Sequence, residues 1–286
     1  MLKDLIISSR PKQWYKNILV FVCIVFSYNL FNTSMWIDVI LAFIFFCMLS
    51  ASEYIFNDLV DIERDKKHPV KSQRPIASGR FKVPYALFFA LLFIAVALAG
   101  SYLVVNANFF LLAASYLVLI FLYTLVLKHI IIADILIISL GFVFRAIAGC
   151  LAISVFISPW LIVCTFLLAL FLAIGKRRSE LVILGDEAKA HRASLSGYSS
   201  EILDQMLVVT IGACIVSYLM YTFFVGNYYM MFTATFVVYG LFRYLFLIHQ
   251  GNFGGEPERI FKDKPMLINL AIWALLIVLI LYIIPA

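Results

Sequence analysis

The sequence predicts an all-α membrane protein, a single domain of nine transmembrane helices over residues 1–286. Three observations predict it. Of the 286 residues 64% are hydrophobic and only 13% charged, with a mean hydropathy of +1.03, whereas a soluble domain is roughly 45–50% apolar and about 25% charged. One soluble core of this size cannot hide that surplus, so a bilayer must solvate most of the surface. The apolar residues also come in unbroken runs of about 20, the length a helix needs to cross ~30 Å of hydrocarbon, without the alternation of a β-barrel. Finally, nearly all the cations sit between these runs. A soluble enzyme, a disordered chain and a secreted disulfide scaffold are excluded.

The first run, 17–33, follows basic residues as a signal sequence would. It lacks a small-residue cleavage site and is uncharged from 17 to 37, so it reads as a retained first helix. Runs over 36–56, 84–104 and 109–127 supply the next three spans, and 131–152 the fifth, with Arg145 deep inside it. The sixth, 159–178, ends in Lys176-Arg177-Arg178, and 204–225, 230–248 and 266–285 complete the set. The connections near 32–34, 106–108, 154–158 and 226–229 are short and carry no Lys or Arg, whereas the alternate ones, together with the span ends that lead into them, hold all but one of the 22 cations, Arg145 being the exception. The positive-inside rule then puts the N-terminus and the charged loops in the cytoplasm, and the C-terminus outside. A net charge of +6 reports this topology rather than a nucleic-acid partner. All five cysteines lie inside apolar runs and read as small buried hydrophobes. Chemistry is expected in the two long cytoplasmic loops, near 57–83 and 176–203.

The second span closes with Asn57-Asp58-x-x-Asp61-x-x-x-Asp65. At ~100° per residue these four fall at about 0°, 100°, 40° and 80°, one arc of a helix, while Glu63 at about 240° points away. Carboxylates crowded together repel one another unless a cation joins them. Oxygen-only ligands suit Mg²⁺, whose shell is completed by water and substrate phosphate. Asp is also a poor choice for a solvated helix C-terminus, because the helix dipole opposes it. The loop that follows, from Lys66 through Arg74-Pro75, supplies cations to clamp the far phosphate oxygens, Arg74 foremost; His68 reads as structural or solvated.

This motif at a cytoplasmic helix end, followed by Arg74-Pro75 in a nine-span chain, resembles the UbiA superfamily of intramembrane transferases. The resemblance begins at Arg10-Pro11-Lys12-Gln13-Trp14-x-Lys16-Asn17 and runs through the ninth span. It implies nine helices around a central cavity and a Mg²⁺-bound diphosphate held by Asp58, Asp61 and Asp65. Most members carry a second acidic motif after the sixth span. This chain has Gly175-Lys176-Arg177-Arg178-Ser179-Glu180 there, with cations where Asn57 and Asp58 would fall, Glu180 matching Asp61 and Leu184 matching Asp65. Asp186 and Glu187 do not rebuild the acidic pattern. A site for two phosphorylated substrates needs cations of its own, so the second motif reads as a phosphate seat.

That pattern, with Ser194-Leu195-x-x-Tyr198, Lys128-His129, the Arg145-Ala-Ile-Ala-Gly149 segment and Gly255-Glu256-Pro257-Glu258, resembles the polyprenyl-phosphate phosphoribosyltransferase branch of the superfamily. The branch implies transfer of 5-phosphoribosyl from phosphoribosyl diphosphate to a polyprenyl phosphate, releasing diphosphate, with the lipid product feeding cell-envelope synthesis at the plasma membrane. Catalytic roles are then expected for Asp58, Asp61, Lys176 and Glu180. Substrate contacts are expected from Lys16, Asn17, Asn57, Arg74, Tyr123, Lys128, Arg145, Arg177 and Tyr198. Two of these stay open: Tyr123 either lines the pocket or packs, and Arg145 either bridges helices or lines the cavity. Asp134, at nearly the same helical angle, is ~16 Å from Arg145 and too far to pair with it. A homo-oligomer is compatible with the sequence. The runner-up reading is a prenyltransferase that moves a polyprenyl group from its diphosphate to an aromatic acceptor. A transporter is disfavoured, because the ionisable residues gather at one membrane face instead of interrupting helices at mid-depth.

Overall fold

A computed structural model describes residues 1–184, 193–250 and 262–284, and every regular element among them is helical. The chain forms two compact units. One is Met1–Leu127 with Phe144–Ile157; the other is Lys128–Val143 with Ser158–Ala286.

In the first unit, α1 (Leu2–Ser9) stops where Arg10 turns left-handed, with φ 47°. Pro11 then opens a 3₁₀ helix, Pro11–Phe21, which continues as α2, Val22–Phe26. The expected first span, 17–33, is thus built as a 3₁₀ helix followed by a short α-helix rather than as one α-helix. Among the described residues eight single helices are long and apolar enough to cross a membrane; this segment, divided between two helix types, is not among them. Its composition is apolar, and left-handed residues at Arg10 and Tyr28 (φ 61°) mark its two ends.

Next comes α3 (Thr33–Val60, 28 residues), which packs on α5 (Val83–Gly100); the short α4 (Ile62–Lys66) lies between them in sequence. The contact with α5 is close, since a Cβ on Gly100 would fall 2.4 Å from the Phe45 ring. The last turn of α5 widens into a π-helix, Ser101–Val105. Asn106 then caps α6 (Ala107–Leu125): its Oδ1 accepts the Phe109 N–H at 2.8 Å, and its Nδ2 donates to Leu151 O at 2.8 Å near the end of α7 (Ala133–Ala152). Further back on α7, a Cβ on Gly149 would fall 2.0 Å from the Val20 carbonyl oxygen, so backbone meets backbone there. Small residues at such crossings are how membrane helices approach one another.

The second unit holds the first turns of α7, then α8 (Pro159–Leu184), a 3₁₀ turn at Ala193–Gly197, α9 (Ser200–Phe224), α10 (Thr233–His249) and α11 (Lys264–Tyr282). Ser199 caps α9 by accepting the Ile202 N–H, and Asp263 caps α11 by accepting the Met266 N–H. Phe171 and Ile174 of α8 pack with Leu203 and Leu207 of α9 and Tyr244 and Ile248 of α10. Asp263 also takes two bonds from Arg243, at 3.1 and 2.8 Å, and this guanidinium holds the Asp263 carboxyl below its usual range.

The outward residues of these helices, such as Phe88, Leu103, Val209 and Phe223, are apolar and more than half exposed, as expected of a multi-pass membrane protein. All five cysteines carry free thiols, and four of them are buried.

Candidate active site

The first cluster stands where α3 gives way to α4. Asp61 caps the junction (φ −95°, ψ 11°), yet its N–H still donates to Asn57 O at 3.0 Å and the Asp65 N–H to Asp61 O at 2.8 Å. The helical register therefore survives the break, and Asp58 and Asp65 keep to one face. Both are buried. Arg74 Nη1 donates to Asp58 Oδ1 at 3.1 Å and to Asp65 Oδ2 at 2.7 Å, while Arg10 Nη2 donates to the same Asp58 oxygen at 2.5 Å. Arg10 also lies over the Tyr54 ring, 4.9 Å from its centroid. Glu63 points outward as expected and pairs with Lys66 at 2.7 Å, which lowers its pKa.

The loop is shaped to deliver Arg74. His68 Nδ1 accepts the N–H groups of Val70 and Lys71, at 3.1 and 3.2 Å, so the ring organises the turn. Burial, together with nearby Lys71, lowers its pKa and favours the unprotonated acceptor nitrogen that these bonds need. Past Pro75 the chain closes on itself, with the Phe81 N–H donating to Pro75 O at 2.9 Å and Gly79 taking a φ of 78° that favours glycine.

An oxygen-only acid set of this kind suits Mg²⁺, and one Arg74 nitrogen draws Asp58 and Asp65 to the same cation. The expected three-carboxylate set is not gathered about one point, however. Among the described residues no three His, Cys, Asp or Glu side chains converge as a metal centre. Arg10 and Arg74 draw Asp58 and Asp65 toward themselves, while Asp61 and Asn57 are only partly buried beside them.

The second cluster lies in the other unit. Arg177, 2% exposed, donates from Nε to Asp134 Oδ2 at 2.8 Å and from Nη1 to Glu180 Oε2 at 2.6 Å. Expected at substrate, it is instead buried between two carboxylates. Lys176 Nζ stands 3.8 Å from Glu180 Oε1, with its side chain 40% exposed. Asp134, fully buried, also accepts from Ser194 Oγ at 3.2 Å and Tyr198 OH at 3.0 Å. The Tyr198 hydroxyl in turn accepts the Ile132 N–H at 2.7 Å, and burial with the Asp134 charge pushes its pKa up to about 12. Tyr198 is thus tied to Asp134. Arg178, off the arc, pairs with Asp204 at 2.5 Å.

Arg145 and Asn17, also expected at substrate, meet each other in the first unit. Arg145 Nε donates to Asn17 Oδ1 at 2.7 Å, and Nη2 to Tyr116 OH at 2.6 Å, whose proton goes to Glu53 Oε2 at 2.9 Å. Asn17 Nδ2 reaches Cys47 Sγ and Ser50 Oγ, at 3.3 and 3.4 Å. Of the two roles left open for Arg145, these contacts describe the bridge between helices. Lys16 and Tyr123 are half-buried and Lys128 is buried. Gly255-Glu256-Pro257-Glu258, Asp186 and Glu187 lie outside the described residues.

Sequence reasoning missed Arg10, Asp134, Tyr116 and Glu53. Arg10-Pro11 repeats the Arg74-Pro75 dipeptide, which was the one available sign for Arg10.

The sequence pattern of the UbiA prenyltransferase family matches residues 18–273. The chain is 31% identical to the decaprenyl-phosphate phosphoribosyltransferase of Corynebacterium glutamicum, covering 96% of this chain and 86% of that one. It is 32% identical to the protein of the same name from Mycolicibacterium smegmatis, covering 96% and 91%. Among solved structures, a UbiA homolog from Archaeoglobus fulgidus bound to GPP and Mg²⁺ superposes with a TM-score of 0.76 at 17% identity, over 98% of this chain and all of that one. The same fold bound to DMAPP and Mg²⁺ gives 0.75 at 18% identity, over 98% and 99%.

Proposed function

This chain belongs to the UbiA prenyltransferase family, and from that premise we propose that it is an integral membrane phosphoribosyltransferase. It moves 5-phosphoribosyl from phosphoribosyl diphosphate to a polyprenyl phosphate and releases diphosphate. The observation that carries this reading is the near-full-length likeness to two enzymes named for that transfer on decaprenyl phosphate. The second motif supports it, since Lys176 and Arg177 stand where a site for a second metal would need acids.

In the reaction the C1–O bond to diphosphate breaks, the electron pair leaves with the diphosphate, and an oxygen of the lipid phosphate bonds to C1. Asp58, Asp61 and Asp65 would hold Mg²⁺, which when bound would supply charge stabilisation for the departing diphosphate. Arg74 and Arg10 hold the acids in register and place two further cations at that face. Lys176 offers a point charge for the other phosphate. The lipid phosphate is already anionic at neutral pH, so the transfer needs no general base. The Lys and Arg distribution supports a cytoplasmic N-terminus and cytoplasmic catalytic loops. A plasma-membrane location and a lipid product that feeds cell-envelope polymers accompany this reading.

Purified protein in detergent with Mg²⁺ tests it. One tube receives labelled phosphoribosyl diphosphate with a polyprenyl phosphate, the other a labelled prenyl diphosphate with aromatic acids. Lipid-extractable label in the first tube alone, lost in Asp61→Ala, is expected. Label in the second alone overturns the reading in favour of prenyl transfer.

A further inference from the structure

Asp134 has no place in the proposed chemistry, yet it is the most heavily bonded carboxylate of the second cluster. It is fully buried near the start of α7 and takes bonds from three groups 43, 60 and 64 positions away: Arg177 on α8, Ser194 in the 3₁₀ turn, and Tyr198 just beyond it. A buried carboxylate is tolerated only when paired and hydrogen-bonded, and here both oxygens are used. The lock extends further. Tyr198 holds the Ile132 N–H, and Ile132 is left-handed at φ 68°, a costly conformation for a β-branched residue that needs outside support. Gly197 sits so near this turn that a Cβ on it would fall 2.0 Å from Ile131 Cδ1. The turn at 128–132 and the turn at 193–198 are therefore clasped together through one carboxylate.

The clasp sorts the cations of the second motif. Arg177 donates to Asp134 and Glu180 and is 2% exposed, so it is committed inside the protein. Its bond occupies Glu180 Oε2. Lys176 Nζ stands 3.8 Å from the other oxygen, Oε1, and its side chain is 40% exposed, so of the two cations on the arc it is the one at the protein's surface.

We propose that Asp134 is a positioning residue: it anchors Arg177, Ser194 and Tyr198 so that Lys176, rather than Arg177, is the cation of the second motif that meets a substrate phosphate. The inference rests on the two-phosphate reading above. Without the anchor, Arg177 competes with Lys176 for the site, and the phosphate contact loses its geometry.

The test measures binding and turnover separately. Dissociation constants for phosphoribosyl diphosphate and for farnesyl phosphate, a short polyprenyl phosphate, are measured in detergent with Mg²⁺ for wild type, Asp134→Asn, Tyr198→Phe and Lys176→Gln. Asp134→Asn and Lys176→Gln are each expected to weaken the same one of the two ligands about tenfold, and the other less than twofold, with a matching rise in that substrate's KM. Tyr198→Phe should shift the same ligand in the same direction by a smaller factor. The double variant Asp134→Asn/Lys176→Gln should bind no worse than the weaker single one, because both act on one contact. If Asp134→Asn only lowers the fraction of active protein and leaves both affinities unchanged, the residue is structural and the proposal fails; should that variant not fold, Tyr198→Phe decides by the same criterion. A wild type that binds neither ligand sinks the two-phosphate reading itself.

Discussion

Removing one oxygen atom from Tyr116 tests the buried network of the first unit. Its hydroxyl is inaccessible to solvent, accepts from Arg145 at 2.6 Å and donates to Glu53 at 2.9 Å. Tyr116→Phe deletes both bonds and little else. The ring that stays behind still lies beneath the guanidinium, 5.0 Å from its carbon, and still packs on Phe46 at 5.2 Å between centroids. In water, hydrogen bonds to charged groups contribute about 1.5–3 kcal/mol each. Between membrane helices the measured values are smaller, ~0.6 on average and ~1.7 at most. Two bonds to charged partners at the upper membrane value give a cost of about 3 kcal/mol. In an Arg145→Met background one of those bonds is already gone, so the same substitution should cost about 1.5 kcal/mol. The assay is reversible unfolding by SDS in mixed micelles, followed by tryptophan fluorescence, for the four proteins of the cycle. Additivity within about 0.5 kcal/mol would refute the coupling, and a Tyr116→Phe cost below that figure would refute the network as a source of stability.

Three further outcomes are expected. Arg74→Ala removes the cation shared by Asp58 and Asp65 and should lower kcat/KM about 10²-fold; because a single Nη1 makes both contacts, Arg74→Lys should recover to within about tenfold of wild type, as steady-state kinetics would show. Gly149→Ala drives a Cβ into the Val20 carbonyl, which backbone cannot easily yield, and should destabilise by about 3 kcal/mol or more, seen as a collapse of the folded fraction in detergent. Asp263 has its pKa held down by Arg243 and by capping α11, so its contribution to stability is present above its ordinary 3.8 and is lost as pH falls through the lower folded value. Asp263→Asn should accordingly lower Tm at pH 7, and the gap to wild type should close on acidification; a gap that persists at low pH counts against the pairing.

The long spans were legible because bilayer thickness writes itself into sequence as run length, and eight of the expected runs coincide with membrane-length helices. The conformation of the first run was not, because hydropathy records composition and is blind to a left-handed Arg10 and to the 3₁₀ bonding that follows. The acid arc was legible from helical period alone, and it held through the break at Asp61 because the Asn57 and Asp61 carbonyls keep their i+4 partners. Contacts between distant residues stayed hidden. Arg10 reaches Asp58 across 48 positions, and Tyr198 reaches Asp134 across 64; no local pattern encodes such distances. The sequence therefore marked Arg177 as charged and well placed without revealing that two carboxylates would claim it.

The seat of the 3₁₀ segment also imposes an order on biogenesis. Asn17 and Val20 rest against Arg145 and Gly149, and Asn17 is separated from Arg145 by 128 residues of chain. At a synthesis rate of about 5–20 residues per second, those partners leave the ribosome roughly 6–26 s later. For that interval the segment can already lie along α3, where Asn17 Nδ2 meets Cys47 and Ser50, but Asn17 Oδ1 still waits for the Arg145 guanidinium. The buried network of the first unit is therefore completed only after the middle of the chain has been made.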